Sequence, residues 1–272
     1  MRQSLILIIV CILLGDSFAQ TNNNFSYPGG IILKEITYEQ HKKGFSYKGS
    51  KVATFEGDDG YFLLFGIPFD VVEGQNTLNL LNGNRDYYLD LLIQKKIYPS
   101  QYIKVAKKYV QPNKKELERI IPEKRLLDRM KKKWVSANID TNFIIPVIGT
   151  ITGTFGTQRF YNGKKGNFHN GIDIAANTGT DIVAPSPGIV MLTGDFFYNG
   201  KFVYIDHGMN FKSIFIHMDR VEVKPGDRLN KGDVLGQVGN TGKSTGPHLH
   251  WSLTLNSEYV DPMIFVNNSL ID

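Results

Sequence analysis

From Phe143 onward the chain is a succession of short apolar runs cut by glycine, with no stretch that keeps a helical period. The segments DIVAPSPGIVMLTG, GKFVYIDHG, KSIFIHMD and DVLGQVG are rich in β-branched residues and bounded by Gly, Asn and Asp, which favour turns. An antiparallel sheet of short strands is therefore predicted for residues 136–272.

The first half reads differently in two parts. Within residues 20–110, the runs GGIILKEITY, KVATFEG, GYFLLFGIPFDVV and DYYLDLLIQ are separated by Gly-Asp-Asp-Gly at 57–60 and Asn-Gly-Asn at 82–84. Short strands with such turns predict a small β-sandwich-like domain, and no catalytic residues cluster in it. Residues 111–135 change texture. Asn113 with Glu116 three residues on predicts an N-cap, and Leu117, Ile120, Ile121, Leu126, Leu127, Met130 and Trp134 keep helical spacing. Pro122 is expected to restart the helix, giving two helical pieces in a basic linker. The fold class is thus mostly β: a sandwich-like domain, a helical linker and a C-terminal β domain.

Residues 1–19 combine Arg2, an apolar run from Leu5 to Leu14 and small residues Ser17 and Ala19. That is the pattern of a secretory signal peptide, and the run is too short for the ~20 residues of a membrane span. No transmembrane helix is expected after cleavage. The only cysteine, Cys11, lies in this segment, so chemistry in the mature chain falls to histidines, carboxylates and hydroxyls. The net charge of +5 is concentrated in residues 101–135, where twelve Lys or Arg face four Asp or Glu. Such a run is a solvated helix face or leans on an anionic envelope polymer. Export argues against nucleic acid as a partner.

Five of the six histidines fall between positions 169 and 250. In GPHLHW, His248 and His250 share one face of an extended segment and Leu249 takes the other. In NFHNGIDIAA, Asp173 follows His169 by four residues, a spacing that puts both on one side. A catalytic zinc site uses three protein ligands and keeps one position for water. His169, Asp173 and one histidine of the His-x-His supply that count. No His-Glu-x-x-His is present, so the other histidine of the pair and His217 are the candidates for proton transfer and oxyanion stabilisation.

The HNGID segment, the VYIDHG and FIHMD runs, the loop VKPGDRLNKGDVLGQVGNTG and STGPHLHW stand in a telling order. Residues 145–265 resemble the LytM or lysostaphin-type zinc metallopeptidases of family M23. The resemblance implies a compact antiparallel β-roll with a groove across its sheet and one Zn2+ per chain. On it, His169 and Asp173 match the first two zinc ligands and His250 the third. His217 and His248 match the two histidines that face the metal-bound water and the substrate carbonyl. Arg159, after GTFGTQ, stands where many members carry an arginine near the groove. Phe215-Ile216-His217 departs from a Tyr-x-His common in relatives, and Tyr204 on the neighbouring run is the expected source of that phenol at the substrate. His207 matches no ligand and is expected to be structural.

Family members cleave peptide bonds in the stem or cross-bridge peptides of bacterial peptidoglycan, so the resemblance implies a zinc metalloendopeptidase of the periplasm or cell envelope. The alternative is a non-catalytic scaffold of the same fold that activates another cell-wall hydrolase. Such scaffolds lack one or more zinc ligands, and this chain lacks none. Residues 27–135 more loosely resemble the accessory domain of some Gram-negative members, which implies a regulatory protein partner for the first domain.

Overall fold

The computed structural model describes residues 25–137, 140–268 and 270, so the expected signal segment 1–19 lies outside the described residues. The first domain holds β1 (Ile31–Ile36), α1 (Tyr38–Lys43), β2 (Phe45–Tyr47), β3 (Ser50–Gly57), β4 (Gly60–Gly66), β5 (Gly74–Asn82) and β6 (Arg85–Ile93). Its six strands are antiparallel in the order β1-β4-β3-β2-β5-β6. The first residues of β3 pair with β2 and its later ones with β4, so the sheet curls at β3. Ile32, Leu63 and Phe65 from one half and Leu80, Leu89 and Leu91 from the other are buried together between the halves. The β5–β6 hairpin turns on Gly83, whose φ of 60° suits glycine.

The second domain contains β8 (Thr150–Gly153), β9 (Gln158–Tyr161), β10 (Lys164–Phe168), β11 (Ile172–Ala175), β12 (Asp181–Val183), β13 (Gly188–Phe196), β14 (Gly200–Asp206), β15 (Lys212–Val221), β16 (Arg228–Leu229), β17 (Val234–Val238), β18 (His248–Leu255) and β19 (Glu258–Val260). The main sheet runs β16-β13-β14-β15-β18-β11-β8, with β17 joining β12 to β15 and β19 joining β18. A smaller sheet sets β9 between β10 and β7 (Ser100–Ile103), which pairs with β9 in parallel.

Between the domains, α2 (Lys114–Lys132) is one helix, not the two pieces predicted from Pro122. Proline forfeits one backbone hydrogen bond there, to the Glu118 carbonyl. The contacts on either side outweigh that loss. Arg119 Nε and Glu123 Oε1 pair across the proline at 2.6 Å, while Leu127 and Met130 beyond it pack on Phe202, Tyr204 and Ile214. The capping box forms, with Asn113 Oδ1 accepting from Glu116 N–H at 3.0 Å and Glu116 Oε2 from Asn113 N–H at 2.7 Å. Ile31, Ala53 and Leu64 of the first domain share one buried cluster with Trp251, Leu253, Leu255 and Val260 of the second. No described helix is long and apolar enough to cross a membrane.

Candidate metal centre

Alternation along β18 decides which side chains reach the groove. Leu249, Trp251 and Leu253 are buried in the shared core, so His248, His250 and Ser252 take the opposite face. Asp173 of β11 and Ile216 of β15 flank His250 in register, one on each side. Ile172 and Ile174 fill the core on either side of Asp173. His169 arrives from the turn before β11, its N–H donating to the Thr157 carbonyl at 2.7 Å. Gly171 permits that turn, because a Cβ there would lie 2.3 Å from the Trp251 carbonyl oxygen.

Three atoms converge on one point. His169 Nε2 is 3.0 Å from Asp173 Oδ1 and 2.9 Å from His250 Nδ1, which is itself 2.8 Å from Asp173 Oδ1. Each ring is oriented by its other nitrogen: His169 Nδ1 donates to the Thr154 carbonyl at 2.8 Å, and His250 Nε2 lies 2.7 Å from Ser252 Oγ. With ring protons spent there, two bare nitrogens and a carboxylate oxygen face one another, an arrangement that favours a cation among them. Two imidazoles and a carboxylate are a donor set that fits zinc. Gly153 keeps room for it, since a Cβ there would meet Asp173 Oδ2 at 2.7 Å and His169 Cε1 at 3.1 Å. Arg159 pairs with Asp173 Oδ2, leaving Oδ1 to the cluster.

The protonation states suit a ligand role. Burial pushes the Asp173 carboxyl up, but the two histidines facing it outweigh burial and hold the group well below the usual carboxylate range, so it is ionised at pH 7. Burial pushes His250 down to about 4 against the pull of Asp173, so its ring is neutral at pH 7.

His217 and His248 stand beside this cluster, their ring centroids 4.8 Å apart. His217 Nδ1 donates to the Thr241 carbonyl and His248 Nδ1 to that of Gly246, each at 2.8 Å, which leaves both Nε2 atoms for the groove. His248 Nε2 is 3.8 Å from Asp173 Oδ1. His217 reaches this position through a break in alternation. Phe215 and Met218 both point into the core, three residues apart, so a bulge turns Ile216 and His217 to one face. His217 has a φ of 68°, a strained value for a residue with a Cβ. Burial, with help from His248 and His250, pushes its ring down to about 3, so it too is neutral at pH 7.

Two adjoining cavities of about 540 and 490 Å³ form the groove, and both are lined by Arg159, Tyr161, His217 and Lys243. Arg159, expected at the substrate, lies in the groove wall. Tyr204 does not reach it. Its position in register with Ile214 and Ser252 puts it on the groove face of the sheet, but it is 0% exposed beneath Leu127 and Met130 of α2. The expectation that Tyr204 touches substrate is corrected on that ground. His207 is buried between the Pro187 carbonyl and Ser213 Oγ, 2.7 Å from each, away from the cluster.

Sequence reasoning missed Ser252, Thr154 and Lys243. Ser252 carries a readable signal, two residues beyond His250 on the same face. Thr154 acts through its backbone carbonyl, which no side-chain pattern announces, and Lys243 looks like any loop lysine.

A histidine–aspartate–histidine cluster on the floor of a groove, set on a curled antiparallel sheet, defines a metallopeptidase type of site. Residues 167–262 match the model described as peptidase family M23, so this stretch of the chain is a peptidase M23 domain. The peptidoglycan DD-endopeptidase ShyA of Vibrio cholerae is 33% identical over 132 residues, which cover 48% of this chain and 27% of ShyA. The DD-carboxypeptidase/endopeptidase Mpg of Neisseria meningitidis is 33% identical over 121 residues, 44% of this chain and 28% of Mpg. The chain therefore spans under a third of the length of these curated relatives. A solved structure described as a putative peptidase M23 from Pseudomonas aeruginosa is 29% identical, with a TM-score of 0.71, over 90% of this chain and 96% of that one.

Proposed function

We propose that this chain is a zinc metalloendopeptidase that hydrolyses peptide bonds in the stem or cross-bridge peptides of bacterial peptidoglycan. The observation that carries the reading is the convergence of His169, Asp173 and His250, with His217 and His248 beside them on one groove. The DD-endopeptidase activity named for ShyA supports the substrate class. His169, Asp173 and His250 would hold the ion, and zinc bound there supplies a Lewis acid and lowers the pKa of water to about 7. His248, fixed on the face of His250 two residues away, accepts a proton at Nε2 as the peptide bond is attacked and returns it to the leaving amine. His217 directs its Nε2 to the groove, where as an acceptor it orients water and, once it has taken up a proton there, stabilises the oxyanion. Arg159 holds Asp173 and faces the substrate. We assign the activity to the cell envelope, where the substrate lies and to which the signal-like residues 1–19 direct the chain. The first domain is assigned a regulatory contact with another protein.

The test is direct. Zinc is measured by atomic emission on the purified chain, and muropeptide release from sacculi is followed with and without His217→Ala. One equivalent of zinc, with release lost in the variant, supports the reading. A metal-free protein that digests nothing yet stimulates another hydrolase overturns it in favour of a scaffold. Mass spectrometry of the released muropeptides identifies the bond cut.

A further inference from the structure

Two cations line both halves of the groove, and only one has a counter-charge. Arg159 pairs with Asp173, although its buried Nε bonds to nothing among the described residues. Lys243, in the loop between β17 and β18, pairs with no carboxylate among the described residues. Its ammonium lies instead 3.1 Å from the centre of the Tyr161 ring and 5.9 Å from that of Tyr198.

The loop that carries it is held on both sides. Lys243 N–H donates to the Tyr198 carbonyl at 2.9 Å, and the Gly242 carbonyl accepts from the Tyr109 hydroxyl at 2.6 Å. A loop lysine ordinarily extends its ammonium into water. Here burial and the nearby Arg159 push Lys243 down to about 8, the mark of a cation short of negative charge. The Tyr161 face supports it without neutralising it, because a ring quadrupole carries no net charge.

We propose that Lys243, with the unpartnered edge of Arg159, forms an anion pocket beside the metal cluster that selects peptides bearing a free carboxylate next to the scissile bond. The inference rests on the peptidase reading above and names the substrate feature that the groove recognises. A residue that is joined to a neighbouring peptide through its side chain and stands at the end of its own peptide keeps a free α-carboxylate close to the link, so the pocket and the bond to be cut are matched in chemistry. A carboxylate gains a charge-assisted hydrogen bond from a lysine that has no other partner. The corresponding amide brings no charge and leaves the ammonium uncompensated.

The experiment uses the full chain loaded with zinc and two synthetic cross-linked peptides that differ only in amidation of the carboxylate beside the bond. The readout is the ratio of their kcat/KM values. Wild type favours the carboxylate peptide by about tenfold or more, and Lys243→Gln brings the ratio to within about threefold of one. Lys243→Arg, which keeps the charge, restores the preference. Equal cleavage of both peptides by wild type, or a Lys243→Gln that slows both alike, overturns the pocket and leaves the peptidase reading standing. A zinc-loaded wild type that cleaves neither peptide overturns the peptidase reading and the selection with it. Should Lys243→Gln fail to retain zinc, the wild-type ratio decides through salt: a preference that does not shrink as ionic strength rises overturns the pocket.

Discussion

His217 shows how a single backbone angle builds the site. Plain alternation from Phe215 would send its ring into the core, and the bulge with its φ of 68° sends it to the groove instead. Such strain persists only where surrounding bonds hold it, here His217 N–H to the Asn199 carbonyl and Nδ1 to Thr241. Gly153 is the second decisive position, because the space a side chain would fill belongs to Asp173 and His169. Gly153→Ala is expected to weaken zinc binding by about 10–100-fold, since it displaces two proposed ligands at once. Competition with a chelator measures this, and unchanged affinity would refute the assignment. His207 makes a different prediction. Burial pushes it from 6.5 down to about 4, so the folded chain refuses a proton that the unfolded chain takes up below 6.5. Its stabilising effect is complete above pH 6.5 and is lost as pH falls toward 4, a swing of about 3 kcal/mol. Urea unfolding of the metal-free chain at stepped pH should show that much extra acid sensitivity in wild type relative to His207→Gln. Parallel profiles would count against it.

At the scale of elements, α2 is tied down at its far end by a buried cation. Lys212 is 0% exposed, and its ammonium donates to the carbonyls of Lys131 and Lys133 at 2.8 and 2.6 Å and to Asn210 Oδ1. It also lies 3.7 Å from Asp206 Oδ2. Positive charge at a helix C-terminus satisfies carbonyls that have no partner within the helix. Lys212→Met is expected to cost about 3–5 kcal/mol, because Asp206 is left buried without its partner. Adding Asp206→Asn should recover part of the loss in denaturant unfolding; additive losses would show that the two residues do not act as a pair. These ties explain what was legible and what was not. The His-x-His was readable because period-two alternation holds along β18, and Asn113 with Glu116 was readable because a capping box is local. Tyr204 was misread because its cover, α2, lies more than seventy residues away in sequence. Pro122 was misread because the packing of Leu127 and Met130 overrides a local rule. The bulge at His217 depends on cross-strand register, which a single strand's pattern does not contain.

Over the whole molecule, the first domain and the proposed catalytic domain are packed as one body. Ile31, Ala53 and Leu64 lie in the same core as Leu255 and Val260, and Phe69 stacks on Phe168 with centroids 3.7 Å apart. Asn256 binds the first domain like a backbone strand, accepting from Gly66 N–H at 2.6 Å and donating to its carbonyl at 3.0 Å. Gly66 has no room for a side chain against Val260, 2.9 Å from where its Cβ would sit. Separating the domains would therefore expose apolar core as well as two buried backbone groups. That surface makes independent unfolding of either half unfavourable, so the two should melt together. Trp251 lies in the second domain and Trp134 in the stretch that joins the two, its ring centre 5.1 Å from Lys51 Nζ, so tryptophan fluorescence reports the second domain and the junction, while far-ultraviolet circular dichroism reports both domains. Coincident denaturant transitions by the two probes are expected. Asn256→Ala leaves the Gly66 N–H and carbonyl buried without partners, at a cost of about 1–3 kcal/mol for each group. It should therefore lower the midpoint of both probes together. Two separated transitions in wild type, or a shift confined to one probe, would show that the shared core does not couple the domains.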